Sequence, residues 1–424
     1  MRKNSVLSLA VVFTFALAGS AFAQQLTDAA QAQVGTSTAS GALPGIAPQT
    51  IHSVPSDLID EDSTNSGPSS IAGNPGGVAG VISVPNFTRS FSFGGQDFPF
   101  TMIGNDPSLG HKTQVPAKIA AVSLQLLNED GSTFAIVPAG EFEQPVLNSP
   151  NFQNFKYEKE GEPVQFGDAV QRAEFFNSMK GNWHTELSPA SVVDRLTIQV
   201  PKFVTVISRG VAVKALNYQA GQLPDGHTFV LMLNLFFNQQ LGIIMNNEID
   251  AGNFTTNDVA INLFPNTFLF SFNRTNPLLR GSCCTLGFHT FFTDGGTPEQ
   301  RWITVYASWI SPGLFGAGFE DVTALSHEIS ESLNDPFVNN ITPVWQFPGE
   351  PGVCQGNLET GDPVEVLANA TVPVTLKNKG TEFTYHPQTE ALLQWFAQTV
   401  PSDAIHGAYS YPDLTALTAP ATLC

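Results

Sequence analysis

Basic residues are scarce in this chain of 424 residues. Lys and Arg together number 18 against 37 Asp and Glu, for a net charge of −19. With no cluster of Lys and Arg to neutralise phosphates, nucleic acid is excluded as a partner, and so is electrostatic docking on anionic lipid. Charge of either sign is sparse, at 13% of residues, while 42% are hydrophobic. That apolar share excludes a wholly disordered chain. Past the N-terminus no apolar run approaches the roughly twenty residues a membrane helix needs. The longest, residues 228–237, suits a buried strand, so the mature chain is expected to have no membrane span. Tyr is rare, 6 against 33 Phe, which points to a Phe-rich core.

Cysteine is also scarce: Cys283, Cys284, Cys354 and Cys424. An even number in an exported chain implies two disulfides. Adjacent cysteines rarely bond to each other without strain, so Cys283 and Cys284 are each expected to bond to one of Cys354 and Cys424.

What is present begins with an export signature. Arg2 and Lys3 precede an apolar stretch over residues 6–19, and Ala21-Phe22-Ala23 forms a small-x-small cleavage site before Gln24. Residues 1–23 read as a signal peptide, with a secreted, extracellular or periplasmic destination. Residues 24–78, rich in Gln, Ala, Ser, Thr, Gly and Pro, read as a disordered leader or pro-segment. From about residue 79, short apolar runs bounded by Gly, Pro and Asn predict strands at 119–127, 196–200, 204–208, 211–216 and 229–237, and a helix at 168–179. His111, His184 and His227 read as ordinary loop or core histidines.

The informative segment lies further on. Residues 301–311 alternate like a half-buried strand. After a Gly-rich loop, residues 320–334 place Val322, Leu325, Ile329 and Leu333 on one helical stripe. Glu320 and Asp321 fall in its expected first turn, and Pro336 stops it. His327 and Glu331, four apart, project from one face with Glu328 beside them. This His-Glu-x-x-Glu is one residue away from the zincin His-Glu-x-x-His, in which two ligands on a rigid helix hold Zn²⁺ and the Glu is general base. A third ligand is needed, and Asp362 ranks first, followed by His289, Glu359 and Asp335. The bland alternative is a solvated helix face.

Several blocks then resemble, in order, the plant phosphate-induced (EXORDIUM-like) secreted proteins and related exported bacterial proteins. They are Asn253 to Ala260, the Cys284 to His289 run, His327-Glu328-Ile329-Ser330-Glu331 continuing through Asp335-Pro336 to Trp345, and Glu359-Thr360-Gly361-Asp362. The family's Cys after that last block is absent here, with Cys354 upstream instead. The resemblance implies an α+β fold. A zincin-like domain with a long active-site helix, residues 221–424, would follow a β-rich region, residues 79–220.

Two functional readings follow. The first is a secreted metal-dependent hydrolase, a zincin-like metallopeptidase acting on a protein or peptide. His327, Glu331 and Asp362 would hold a divalent metal, zinc before calcium, with Glu328 as base and strand 301–311 pairing with the peptide. The second is a non-catalytic binding or cell-surface protein on the same scaffold, its acidic cluster holding Ca²⁺.

Overall fold

The computed structural model describes residues 81–424, apart from residues 209, 224, 316, 317 and 379. The expected signal peptide and leader lie outside the described residues. The fold is mixed α/β and mostly strands, with a curled, largely parallel sheet at its centre. The expected mixture of helices and strands is present, and the inner strands of the sheet run parallel.

That sheet contains β1 (Val81–Ile82), β2 (Lys112–Leu127), β3 (Thr133–Val137), β4 (His184–Pro201), β5 (Val259–Pro265), β6 (Gly287–Thr293) and β7 (Glu299–Trp309). Its body runs β6-β7-β5-β2-β4, with β1 added beside β7 and β3 beside β2. The pairs β7-β5, β5-β2 and β2-β4 are parallel, and β6 is antiparallel to β7. β5, VAINLFP, is buried throughout, as a parallel strand covered on both faces must be. Pro116 cannot donate to a ladder, and it falls at a register shift between Val115 and Ala117 against β4. β2 and β4 precede residue 220 and β5 follows it, so segments from both sides of that position share one sheet.

Alternation along the strands creates two apolar faces. Ile119, Ile261, Leu263, Ile303 and Val305 face one way and pack with Val322, Leu325, Ile329 and Leu333 of the metal-motif segment. Phe264 and Tyr306 face the other way and pack with Phe237, Leu241, Ile244 and Met245. Two helices therefore sandwich the sheet. The second of these faces is covered by α2 (Asn234–Asp250), seventeen residues long. The expected strand over 229–237 ends at Leu233, where this helix begins. The run is apolar all along, and periodicity alone does not separate a buried strand from a buried helix there.

The first face is covered by α3 (Thr323–Asn334), twelve residues rather than a long helix. It starts three residues later than expected, so Glu320 and Asp321 lie before its first turn. It ends ahead of Pro336, with Asp335 already out of the helical region at φ −141° and ψ 63°, as the residue before a proline is biased away from the helix. α1 (Phe166–Glu174), shorter than the helix expected at 168–179, packs across α3. Gly167 makes that approach possible, since a Cβ there would sit 2.5 Å from Leu333 Cδ1. All twelve residues of α3 are buried, so the solvated face is not what the helix has.

The disulfides pair differently from the expectation. Cys354 is bonded to Cys424, and Cys283 to Cys284. Strand pairing decides this. Cys354 faces Gln346 in the Ile341–Gln346 hairpin, and Leu423 bridges to Trp345 beside it. Cys283 and Cys284 belong to another sheet, on the strand Arg280–Thr285. Among the described residues no helix is long and apolar enough to cross a membrane.

Candidate metal centre

Three elements converge on one buried cluster. Helix α3 contributes His327, Glu328 and Glu331. Strand β6 contributes His289, which stands opposite Val305 of β7. Cross-strand partners share a face, and Val305 belongs to the face under α3, so register alone aims His289 at the helix. The loop before the short helix Asp362–Glu365 contributes Glu359, and the helix's first residue is Asp362. The loop is anchored by Leu358 N–H to Asn340 O (2.9 Å) and Gln388 Nε2 to Gly361 O (2.7 Å).

Glu331 stands between two histidines. Its Oε1 lies 3.1 Å from His327 Nε2, which is also 3.5 Å from Asp362 Oδ1. Its Oε2 lies 3.3 Å from His289 Nδ1, which is 3.7 Å from Glu328 Oε2. His327–Glu331–Asp362 and His289–Glu328–Glu331 are therefore two groups whose ligand atoms are close enough to hold a metal ion. The Gly361 N–H donates to Glu331 Oε1 at 2.9 Å. His289 Nε2 lies 3.1 Å from the Asp335 carbonyl oxygen. A carbonyl only accepts, so Nε2 carries the proton, and in the neutral ring Nδ1 keeps its lone pair toward Glu328 and Glu331.

Two glycines leave room for this arrangement. A Cβ on Gly287 would come within 2.6 Å of Glu328 Cγ and Oε1, and one on Gly361 within 2.5 Å of the His327 ring.

The candidate third ligands thus separate. Asp362 and His289 each complete a group, and Asp362 is the most accessible of the set. Glu359 Oε2 lies 3.8 Å from His289 Nε2, at the cluster's edge. The Asp335 carboxylate is engaged elsewhere, accepting from the N–H groups of Asn339 (2.9 Å) and Asn340 (3.1 Å).

The electrostatics are those of anions short of cations. Among the described residues, the ion pairs of these carboxylates are with the two imidazoles rather than with Lys or Arg. Burial on its own lowers the pKa of both histidines. It is outweighed at His289 by Glu359, Glu328 and Glu331, and at His327 by Glu331, Glu328 and Asp362, so both are raised well above the ordinary value. Burial pushes Glu331 up, but the charge of His327 and hydrogen bonds from both rings hold it below the carboxylate range. Burial raises Glu328, partly opposed by His327. Burial, then repulsion from Glu331, pushes Glu359 well up.

Sequence reasoning missed Glu390. It is fully buried, among the described residues it makes no ion pair with Lys, Arg or His, and the Thr360 hydroxyl lies beside it. Burial raises its carboxyl well above the ordinary value, with the charges of His327, Glu331 and Glu328 acting on it. No spacing signal marks it, because it comes from a two-residue strand, Glu390–Ala391, far along the chain. A third group, Glu320, Asp321 and His386, lies just before α3. Asp321 there holds the His386 backbone N–H (2.9 Å) and ring Nδ1 (2.8 Å). Of the histidines read as ordinary, His184 is buried with Nδ1 2.6 Å from Asp168, and His227 pairs with Asp225 near the surface.

No protein-family model, curated protein or solved structure matches this chain.

Proposed function

We propose that this protein is a metal-dependent hydrolase, a zincin-like peptidase in which His327, Glu331 and Asp362 hold a divalent ion and Glu328 is the general base. The observation that carries the reading is a set of distances. A tetrahedral ion with bonds of about 2.0–2.2 Å keeps its ligand atoms about 3.4 Å apart. The His327–Glu331 and His327–Asp362 separations, 3.1 and 3.5 Å, bracket that edge. Burying several carboxylates with only two imidazoles costs several kcal/mol per ion unless a cation offsets it, which supports the same reading.

When bound, such an ion polarises a carbonyl and acidifies water. The chain's own residues do the rest. Glu328 lies one position from His327 and is raised by burial, and it is the carboxylate placed to accept a proton from the attacking water. The imidazoles favour zinc, and the carboxylates also admit harder ions such as manganese. A calcium-holding, non-catalytic scaffold draws on the same carboxylates but leaves two nitrogen donors unexplained. Residues 301–311 offer no free edge to a peptide, because β7 is an inner strand. Among the described residues β6 pairs with β7 alone, so an extended peptide would lie along β6. The export signal and the likeness to secreted plant and bacterial proteins belong to this reading.

Elemental analysis and a peptide-library assay on wild type and Glu328→Gln test it. The variant is expected to keep its ion and lose about 10²-fold or more in turnover. Unchanged turnover, or a wild type that binds no divalent ion, overturns the assignment.

A further inference from the structure

We infer that the centre is binuclear, with Glu331 bridging two divalent ions. This rests on the metal-dependent reading above and adds a second ion subsite. Each oxygen of Glu331 faces a different imidazole, Oε1 toward His327 Nε2 at 3.1 Å and Oε2 toward His289 Nδ1 at 3.3 Å. A single ion bound through one oxygen would leave the other oxygen and the other imidazole unused. A bridging carboxylate uses both, and two-metal hydrolytic sites hold their ions about 3.5–4 Å apart.

Each subsite has its own donor set. The first is His327 Nε2, Glu331 Oε1 and Asp362 Oδ1. The second is His289 Nδ1, Glu331 Oε2 and Glu328 Oε2. Glu328 enters through one oxygen, which leaves Oε1, lying against Gly287, to accept a proton. The tautomer of His289 is set for ligation by its Nε2–H bond to the Asp335 carbonyl, the outer-shell contact that metal-bound histidines usually make. Independently, Glu390 is fully buried within the field of Glu331, Glu328 and His327, and among the described residues it makes no ion pair, with the neutral Thr360 hydroxyl beside it. One ion balances two carboxylates, whereas this cluster contains Glu328, Glu331, Glu359, Asp362 and Glu390. A second ion offsets two more.

Full-length protein loaded with Mn²⁺, then with Zn²⁺, is measured by equilibrium dialysis with elemental analysis. It is compared with His289→Ala and His327→Ala, and Mn²⁺ electron paramagnetic resonance is recorded. Two ions per wild-type chain, one in each variant, and an exchange-coupled Mn²⁺ spectrum only in the wild type are expected. One ion in the wild type with an uncoupled spectrum overturns the binuclear centre and leaves the hydrolase reading standing. No ion in the wild type overturns both. The wild-type stoichiometry and spectrum decide the question even where a variant fails to fold.

Discussion

Gly287 lies directly against Glu328. No side chain could stand at that position on β6 without coming within 2.6 Å of the glutamate's Cγ and Oε1. Gly287→Ala is therefore expected to displace the Glu328 carboxylate. Overpacking of this kind costs about 1–3 kcal/mol, and turnover is expected to fall at least tenfold while circular dichroism stays native. Gly361→Ala, pressing on the His327 ring, is expected to weaken ion binding instead. Isothermal titration with Zn²⁺ and a peptide assay separate the two effects.

The metal-free protein is expected to lose stability as pH rises. The folded-state pKa values of His289 and His327 are raised, so their contribution is present below the unfolded value and lost as pH climbs through the folded one. Buried Asp335, pushed up to about 7, and Glu174, to about 8, act in the same sense. Each binds more proton in the folded state than in the unfolded one across that range. Glu331, held low, gains its contribution only as pH rises through the unfolded carboxylate range and adds little slope above it. Thermal unfolding in chelator is expected to show a midpoint falling by several degrees from about pH 5 to about pH 8. Added Zn²⁺ replaces the protons and should reverse the trend. A midpoint that rises over this interval in chelator would contradict the assignment of charges.

Glu390→Gln removes one buried carboxyl whose pKa burial raises well above the ordinary value. The variant is expected to flatten that pH dependence and to bind divalent ions about tenfold more weakly. A dialysis isotherm beside the unfolding series checks both, and an unchanged ion affinity would place Glu390 outside the centre.

The Cys354–Cys424 bond closes a loop with a sequence separation of 70. In the chain-entropy model that is worth about 4 kcal/mol. Cys424→Ser is expected to lower the urea midpoint accordingly. It should also weaken ion binding, since the strand Cys354–Asn357 leads directly into Glu359 and Asp362.

Legibility in the sequence followed physical locality. The apolar stripe of α3 and the i, i+4 pair His327–Glu331 were visible because helical spacing is local. Asp362 and His289 could be ranked but not seated, because their approach depends on β6 register and on a loop tied to Asn340 and Gln388. The strands at 119–127, 204–208 and 211–216 carried their apolar pattern openly. Residues 234–250 did not, since an apolar run buried on all sides lacks a period to read. The alternation over 301–311 suggested a half-buried strand. In the structure α2 and α3 cover both its faces, and from Ile303 to Trp309 it is wholly buried. Glu390 and the Cys354–Cys424 pairing were set by contacts between distant segments.

β2 lies between β4 and β5, and this has a consequence for any attempt to divide the molecule. A chain severed in the turn near residue 225 would give one fragment holding β2 with an open edge of Ile119, Ala120 and Ala121. The other would hold β5, equally bare, beneath the helix that carries His327. Neither piece could close its sheet, and the ligand-bearing piece would lack the strand that braces it. Mixed together, the halves should recover ion binding that neither has singly, so the centre is a property of the rejoined sheet.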